Sequence, residues 1–237
     1  MQKILLIAAV LFSMHGLYAQ KTIIHDPNAE ARKVGDFSAI HISSGIDLYL
    51  SQDNETGIAV SAAENRFREK IRTVVENGVL KIWVDDGWKF SSGNKKMVAY
   101  VSFKSLNKLS ASGASDVYMN GTLKGDELTI RLSGASDFKG SVELNKLNIG
   151  QSGASDVTIS GKASTVEVDL QGASKLRGYD LHTENCTAKA SGASDIKITV
   201  NSELITSASG ASSIDYKGSG TIKKIHTSGA SSVNKRG

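Results

Sequence analysis

Apolar and polar residues alternate along the second half of the chain with a period of two. The alternation is clear at Leu128, Ile130 and Leu132, and it recurs from Ile196 to Val200. A period of two places alternate side chains on opposite faces of a β-strand, whereas a helix repeats every 3.6 residues. Glycine and β-branched residues, which weaken helices, are frequent in the same segments. The pattern therefore predicts short strands, each with one buried face.

A Gly-Ala-Ser tripeptide divides these strands into repeats. Seven copies occur, separated by 21, 19, 19, 20, 18 and 19 residues. At ~3.3 Å per residue, such a repeat makes one circuit of two or three short strands, and circuits stacked ~4.8 Å apart pair each strand with its copies. Since parallel crossovers are right-handed, the period predicts an all-β, right-handed parallel β-helix, or β-solenoid. The repeat glycines are Gly113, Gly134, Gly153, Gly172, Gly192, Gly210 and Gly229.

Positions counted from the repeat glycine predict the core. The fourth residue after the glycine is apolar in all seven copies, and the fourth residue before it is apolar in six. Stacked circuits place such equivalent residues in columns inside the coil. The column after the glycine is Val117, Phe138, Val157, Leu176, Ile196, Ile214 and Val233; the column before it is Leu109, Ile130, Ile149, Val168, Ala188, Thr206 and Ile225.

The Gly-Ala-Ser segment has the composition of a tight corner. Glycine adopts positive φ or permits close approach of the backbone, alanine adds little bulk, and serine and aspartate bond nearby backbone groups. Identical small corners stack without clashes, so the motif requires no ligand. We interpret the seven glycines as structural corners.

The chain before the first repeat is strand-like but irregular. Val74 to Val84 predicts a hairpin, because Asn77-Gly78 favours the positive φ values of a type I′ turn. A short helical turn is expected between Ala63 and Lys70, and Trp83 is expected to face a core. We interpret this part as irregular rungs that cap the repeats.

The first nineteen residues have the pattern of a secretory signal peptide. Lys3 precedes an apolar run from Ile4 to Phe12, and the small residue Ala19 precedes the expected cleavage point. No later run approaches the ~20 apolar residues of a membrane helix. We expect an exported protein in the periplasm, on the outer surface or secreted. The expected parts are a leader at 1–19, an extension at 20–36 and one solenoid domain at 37–237, made of irregular rungs at 37–107 and the seven repeats at 108–237.

Charge and cysteine content decide whether nucleic acid is an expected partner and whether a disulfide can form. The chain has 28 Lys and Arg residues and 24 Asp and Glu residues, without a dense basic cluster. Nucleic acid is therefore not expected as a partner. Cys186 is the only cysteine, and an intramolecular disulfide is therefore excluded. Its place in a strand pattern predicts a small buried side chain rather than a reactive thiol.

Several segments together resemble a known family. Ser43-Ser44-Gly45-Ile46-Asp47, then Asn77-Gly78-Val79-Leu80-Lys81-Ile82, then Leu109 to Asp116 ending in Ser-Gly-Ala-Ser-Asp, resemble the putative auto-transporter adhesin head GIN domain of bacterial exported proteins. The resemblance covers about residues 37 to 220. Gly45-Ile46-Asp47 stands where the family name has Gly-Ile-Asn. The resemblance implies an exported parallel β-helical domain with adhesion as the suggested role, and it brings no catalytic residues.

One column of residues beside the corner contains carboxylates that could bind a metal ion or act as catalytic acids. Asp116, Asp137 and Asp156 occupy equivalent places in successive repeats. They could form a calcium site or a glycosidase-like acid pair, or each could simply close its own turn. The histidines lack metal-ligand spacing, and the Gly-x-Ser-x-Gly elbow of serine hydrolases is missing. We therefore expect no catalytic residue, no metal and no cofactor. The column continues as Lys175, Asp195, Ser213 and Ser232.

Trp88 and Phe90 lie in a glycine-flanked loop and could stack on a sugar or a partner. The sequence thus favours a non-catalytic envelope or cell-surface protein that presents a rigid β-helical surface for binding or adhesion. Envelope glycans, host glycans or surface proteins are the expected partners, and the oligomeric state is left open. One alternative is a carbohydrate-active hydrolase or lyase that uses the aspartate column. The other is a structural envelope component that associates with itself.

Overall fold

The computed structural model describes residues 26–85 and 96–237, whose strands belong to one 17-stranded sheet. The N-terminal elements are β1 (Glu30–Arg32), β2 (Ala39–Ile42), β3 (Ile46–Gln52), β4 (Gly57–Ala62), α1 (Asn65–Arg68), β5 (Ile71–Glu76), β6 (Val79–Val84) and β7 (Met97–Phe103). The repeats contain β8 (Lys108–Ala111), β9 (Val117–Lys124), β10 (Glu127–Leu132), β11 (Asp137–Gln151), β12 (Asp156–Leu170), β13 (Lys175–Ala190), β14 (Asp195–Ala208), β15 (Ser213–Lys217), β16 (Thr221–Thr227) and β17 (Ser232–Lys235).

Within the repeats, each strand pairs in parallel with the equivalent strand of the next repeat along the chain. Segments that precede a corner pair in the order β8, β10, β11, β12, β13, β14, β16, and we call this stack the pre-corner sheet. Segments that follow a corner pair in the order β9, β11, β12, β13, β14, β15, β17, and they form the post-corner sheet. The predicted all-β solenoid with rungs of about 19 residues is confirmed. Its right-handed sense stays a prediction.

Five successive corners, from that of Ala135 to that of Ala211, are hydrogen-bonded to the corner of the rung before them. The alanine N–H donates to the carbonyl oxygen of the preceding repeat's glycine, as from Ala154 to Gly134 at 2.8 Å and from Ala173 to Gly153 at 2.7 Å. All seven repeat glycines have φ between 71° and 80°. The corner serine closes its own turn, because Ser155 Oγ donates to the Ser152 carbonyl at 3.1 Å.

Differences in repeat length are absorbed away from these corners. The register between β9 and β11 shifts between Lys139 and Ser141, and that between β12 and β13 shifts between Thr158 and Gly161. Across the Gly-Ala-Ser corner the pairing continues without a shift, from Leu170–Ala190 to Lys175–Asp195. The remainder of each circuit, including the pre-corner pairing of β14 with β16, therefore accommodates the rungs that are longer or shorter than their neighbours.

The core is continuous along the coil. Both predicted columns are buried through most of the stack, and Cys186 is 3% exposed as expected. Burial raises the pKa of the Cys186 thiol to about 12, so the group is protonated at neutral pH. Ile225, in the outermost described strand of the pre-corner sheet, is 53% exposed.

The N-terminal part caps the solenoid in an order that differs from the order along the chain. β2 and β3 stack directly on β8 and β9, and β6 and β7 then stack on the outer side of β2 and β3. β4 lies antiparallel to β7, and β1 lies antiparallel to β4. These antiparallel strands and α1, with its buried Phe67, end the parallel stack on this side.

Two local predictions in this region are confirmed and one is wrong. β5 and β6 form the predicted hairpin, with positive φ at Asn77 (51°) and Gly78 (73°). α1 lies within the predicted helical turn. Trp83 does not face the core, because Leu80 and Ile82 occupy the buried face of β6 and Trp83 lies on its other face, partly exposed. No described helix is long and apolar enough to cross a membrane.

The corner glycines should be intolerant of a side chain. A Cβ on Gly153 would lie 2.5 Å from the carbonyl oxygen of Gly134, on a backbone with φ of 80°. We expect Gly153→Ala to lower the free energy of unfolding by more than about 2 kcal/mol, because the left-handed backbone alone costs about 1–2 kcal/mol. Urea unfolding measures this loss. Gly125→Ala is the control, since its Cβ would meet only Leu144 Cδ2 at 3.6 Å; an equal effect of both changes would contradict the account.

Candidate functional site

The motif at Gly45-Ile46-Asp47 forms the first corner of the stack. Ser44 and Gly45 both have positive φ, 71° and 70°. The register of β2 with β8 and of β3 with β9 places Ser44 opposite Gly113 and Gly45 opposite Ala114. Ile46 is completely buried and Asp47 is partly exposed on the outer side. The motif therefore supplies a corner, a core residue and an outward carboxylate.

Asp47 extends the aspartate column by one rung. It lies opposite Asp116, and Asp137 and Asp156 follow on the next rungs. Asp47 lies before the first Gly-Ala-Ser repeat and is therefore missing from the column predicted from the sequence, which starts at Asp116. Aligning Ser-Ser-Gly-Ile-Asp with Ser-Gly-Ala-Ser-Asp could have found it, since both segments end in aspartate.

Three of the four carboxylates in this column have hydrogen-bonding partners on the same rung or the next. Asp137 Oδ1 accepts the backbone N–H of Asp156 at 3.1 Å, and Asp156 Oδ2 pairs with Arg177 Nη1 at 2.8 Å. Asp116 Oδ2 accepts the Tyr118 hydroxyl at 3.4 Å. The aspartates thus bond to groups beyond their own turns, as do the corner serines Ser194 and Ser212. Within residues 26–85 and 96–237, no three His, Cys, Asp or Glu side chains are grouped to hold a metal ion.

The column also carries unfavourable charge. Burial raises the pKa of Asp47, and the charge of Asp116 raises it further against the opposing effect of Lys96. Burial likewise raises the pKa of Asp137, with added contributions from Asp116 and Asp156, while the N–H of Asp156 and the charge of Arg177 lower it. The outer side of the post-corner sheet is therefore locally negative near the N-terminal cap.

A ladder of three tyrosines lies beside the first carboxylates. Tyr49 stacks between Tyr100 and Tyr118, with ring centroids 5.6 Å and 5.1 Å apart and planes inclined by 25° and 21°. The rings are partly exposed on β3, β7 and β9. The Tyr100 hydroxyl donates to Asp26 at 3.0 Å, and burial followed by this contact raises the pKa of Tyr100 to about 12. We call Asp47, Asp116 and the three tyrosines the tyrosine–aspartate surface.

A groove of about 320 Å³ adjoins this surface on the side of Tyr49 and Tyr100, and Tyr118, Asp47 and Asp116 do not line it. Its lining combines the Tyr49 and Tyr100 rings with the polar side chains of Ser51, Asp53 and Asn120. An aromatic wall beside carboxylate and amide groups suits a ligand with both apolar faces and hydroxyl groups. The predicted contacts Trp88 and Phe90 lie outside the described residues, and sequence spacing did not reveal the tyrosines because their rungs stack out of chain order.

Comparison with known proteins agrees with this architecture. The family model of the putative auto-transporter adhesin, head GIN domain, matches residues 36–220. The chain belongs to this family. No curated protein matches it.

Solved structures show the same fold for this head GIN domain. A putative adhesin from Bacteroides fragilis is 24% identical, with a TM-score of 0.80 over 88% of this chain and 96% of that one. A putative adhesin from Parabacteroides merdae is 19% identical, with a TM-score of 0.68 over 88% and 95%. A putative lipid binding protein from Parabacteroides distasonis is 20% identical, with a TM-score of 0.66 over 90% and 98%.

The aspartate column should make stability depend on pH. A carboxyl group whose pKa is raised by folding stabilises the fold when protonated, and this contribution is lost as pH rises above the ordinary value. Two carboxylates ~5 Å apart repel by about 1 kcal/mol in water. We therefore expect Asp47→Asn to stabilise the protein by about 1 kcal/mol at pH 7 and not at pH 3, as measured by urea unfolding.

Asp180→Asn, at an exposed position of β13 outside the aspartate column, is the matched control. The same gain for Asp47→Asn at both pH values would contradict the electrostatic explanation.

Proposed function

We propose that this head GIN domain is an exported, non-catalytic envelope or cell-surface protein that binds glycans through the tyrosine–aspartate surface. The observation that carries the proposal is the tyrosine ladder, held in register beside two outward carboxylates on a rigid sheet. Tyrosine rings provide contact area with little conformational freedom to lose, and carboxylates accept hydrogen bonds from sugar hydroxyls. The leader-like pattern at 1–19 and the adhesin-like family support export.

The arrangement of the aspartates supports binding rather than hydrolysis. A glycosidase needs two carboxyl groups on opposite sides of the scissile bond, about 5–9.5 Å apart. Asp116, Asp137 and Asp156 instead follow one another along one face, and each has a hydrogen-bonding partner. These carboxylates already serve to hold rungs and side chains together.

A glycan array with product analysis tests this function. The full protein should bind a defined set of glycans without releasing products, and Tyr118→Ala should weaken binding by about tenfold or more, because buried aromatic anchors contribute most of the affinity at such contacts. Tyr179→Ala provides a matched control, since Tyr179 lies in β13 and contacts Lys217 instead.

Thermal unfolding should show that both variants remain folded. Release of cleaved products would contradict the non-catalytic role. Undiminished binding by the folded Tyr118→Ala variant would exclude the tyrosine–aspartate surface as the site.

A further inference from the structure

A second polar cleft lies on the outer side of the pre-corner sheet, around Gly150. The register places Arg131, Gly150 and Asp169 next to one another on three successive rungs. Two adjoining cavities of about 380 and 330 Å³ share these three residues in their lining. We call this depression the Gly150 cleft.

Gly150 is unusual for its position. The equivalent outward place is filled by a side chain on every other rung of the repeats, namely Ser110, Arg131, Asp169, Lys189, Ser207 and His226. Glycine inside a strand weakens it, and such a glycine often marks a place where a ligand approaches the backbone closely. Gly150 does not have positive φ, and no backbone atom lies within 4 Å of the position its Cβ would take. The fold itself therefore does not require a glycine here.

The cleft has a positive wall and a negative wall. An added Cβ at Gly150 would lie 3.4 Å from Arg131 Nη1, so the guanidinium extends over the glycine. Lys146 beside it is held between Glu127 at 3.8 Å and Glu167 at 3.6 Å. Arg131 and Asp169 are both exposed, and neither forms an ion pair within the described ranges. Both charges are available to a ligand.

Small polar residues line both ends of the cleft. Thr129 and Asn148 border the cleft on one side, and Ser133 and Ser152 border it on the other. The Asn148 amide is oriented by donation to Glu127 at 2.8 Å. Such a lining offers several hydrogen-bonding groups, which suits a hydroxylated ligand.

We propose that the Gly150 cleft binds an acidic saccharide, with the carboxylate of a uronic acid on Arg131 and its hydroxyl groups on Asp169. The planar guanidinium of arginine binds a carboxylate through two parallel hydrogen bonds. The Asp169 carboxylate accepts hydrogen bonds from hydroxyls. The two flanking rungs stand about 9.6 Å apart, which leaves room for a sugar ring above Gly150.

The cleft is separate from the tyrosine–aspartate surface, because the two lie on different sheets of the solenoid. Binding here consequently does not rest on the function proposed for the tyrosines. Substitution of Tyr118 should leave the Gly150 cleft unaffected, so the two proposals fail independently.

Calorimetric titration of the full protein tests the cleft. The probes are galacturonic acid and glucuronic acid oligosaccharides, with the neutral galactose and glucose oligosaccharides as comparison. We expect binding of at least one acidic series and at least about tenfold weaker binding of its neutral counterpart, the loss expected for a missing charge-assisted hydrogen bond. Arg131→Gln should weaken acidic binding by a similar factor.

Gly150→Thr gives a second, steric test. Threonine suits a strand and should preserve the thermal midpoint while its side chain fills the cleft, so acidic binding should fall by about tenfold or more. Ser207→Thr, at the equivalent position two rungs beyond Asp169, is the steric control. Lys197→Gln on the post-corner sheet is the charge control.

Three results would overturn the proposal: no binding of any acidic probe, equal binding of acidic and neutral probes, or full acidic binding by the folded Arg131→Gln and Gly150→Thr variants.

Discussion

The contact between successive corners is the constraint on which the rest of the structure depends. Each repeat glycine after the first lies against the carbonyl group of the glycine before it, and at five of these six corners the following alanine donates its N–H to that same carbonyl. A Cβ would clash with that carbonyl, so only glycine fits at the corner. Variation in repeat length is absorbed elsewhere in the circuit. One small corner thereby sets the position of every strand on either side of it.

A fixed register brings residues that are distant in sequence into one surface. Tyr49 and Tyr118 stack although the segment from β4 to β8 separates them along the chain. Arg131 and Asp169 face each other across Gly150 because their rungs keep the same alignment. Both surfaces are rigid because their side chains stand on stacked strands and not on loops. Preorganised polar groups lose little entropy when a ligand binds, which suits a protein that binds through its outer faces.

The sequence predicted the parts of the fold that repeat, and the structure was needed for the parts that do not. The spacing of Gly-Ala-Ser and the apolar columns were sufficient for the solenoid, because every copy reports the same geometry. The stacking order of the N-terminal strands has no such period, so Asp47 and the tyrosine ladder were missed. Trp83 was misplaced because alternation in β6 fits either face until a packing partner is known. Counting three residues back from each repeat glycine would have singled out Gly150, whereas the cleft around it is seen only in the structure.

Native-state hydrogen exchange at the corner alanines measures whether corner stacking holds the rungs together. Ala154 and Ala173 are exposed, yet their N–H groups donate to the preceding corner. If corner stacking holds the rungs together, these amides should exchange only through global unfolding, with the same free energy as the amides of Val157 and Val168 in the strands. Exchange of the alanine amides by local opening, at rates typical of loops while the strands stay protected, would contradict the account.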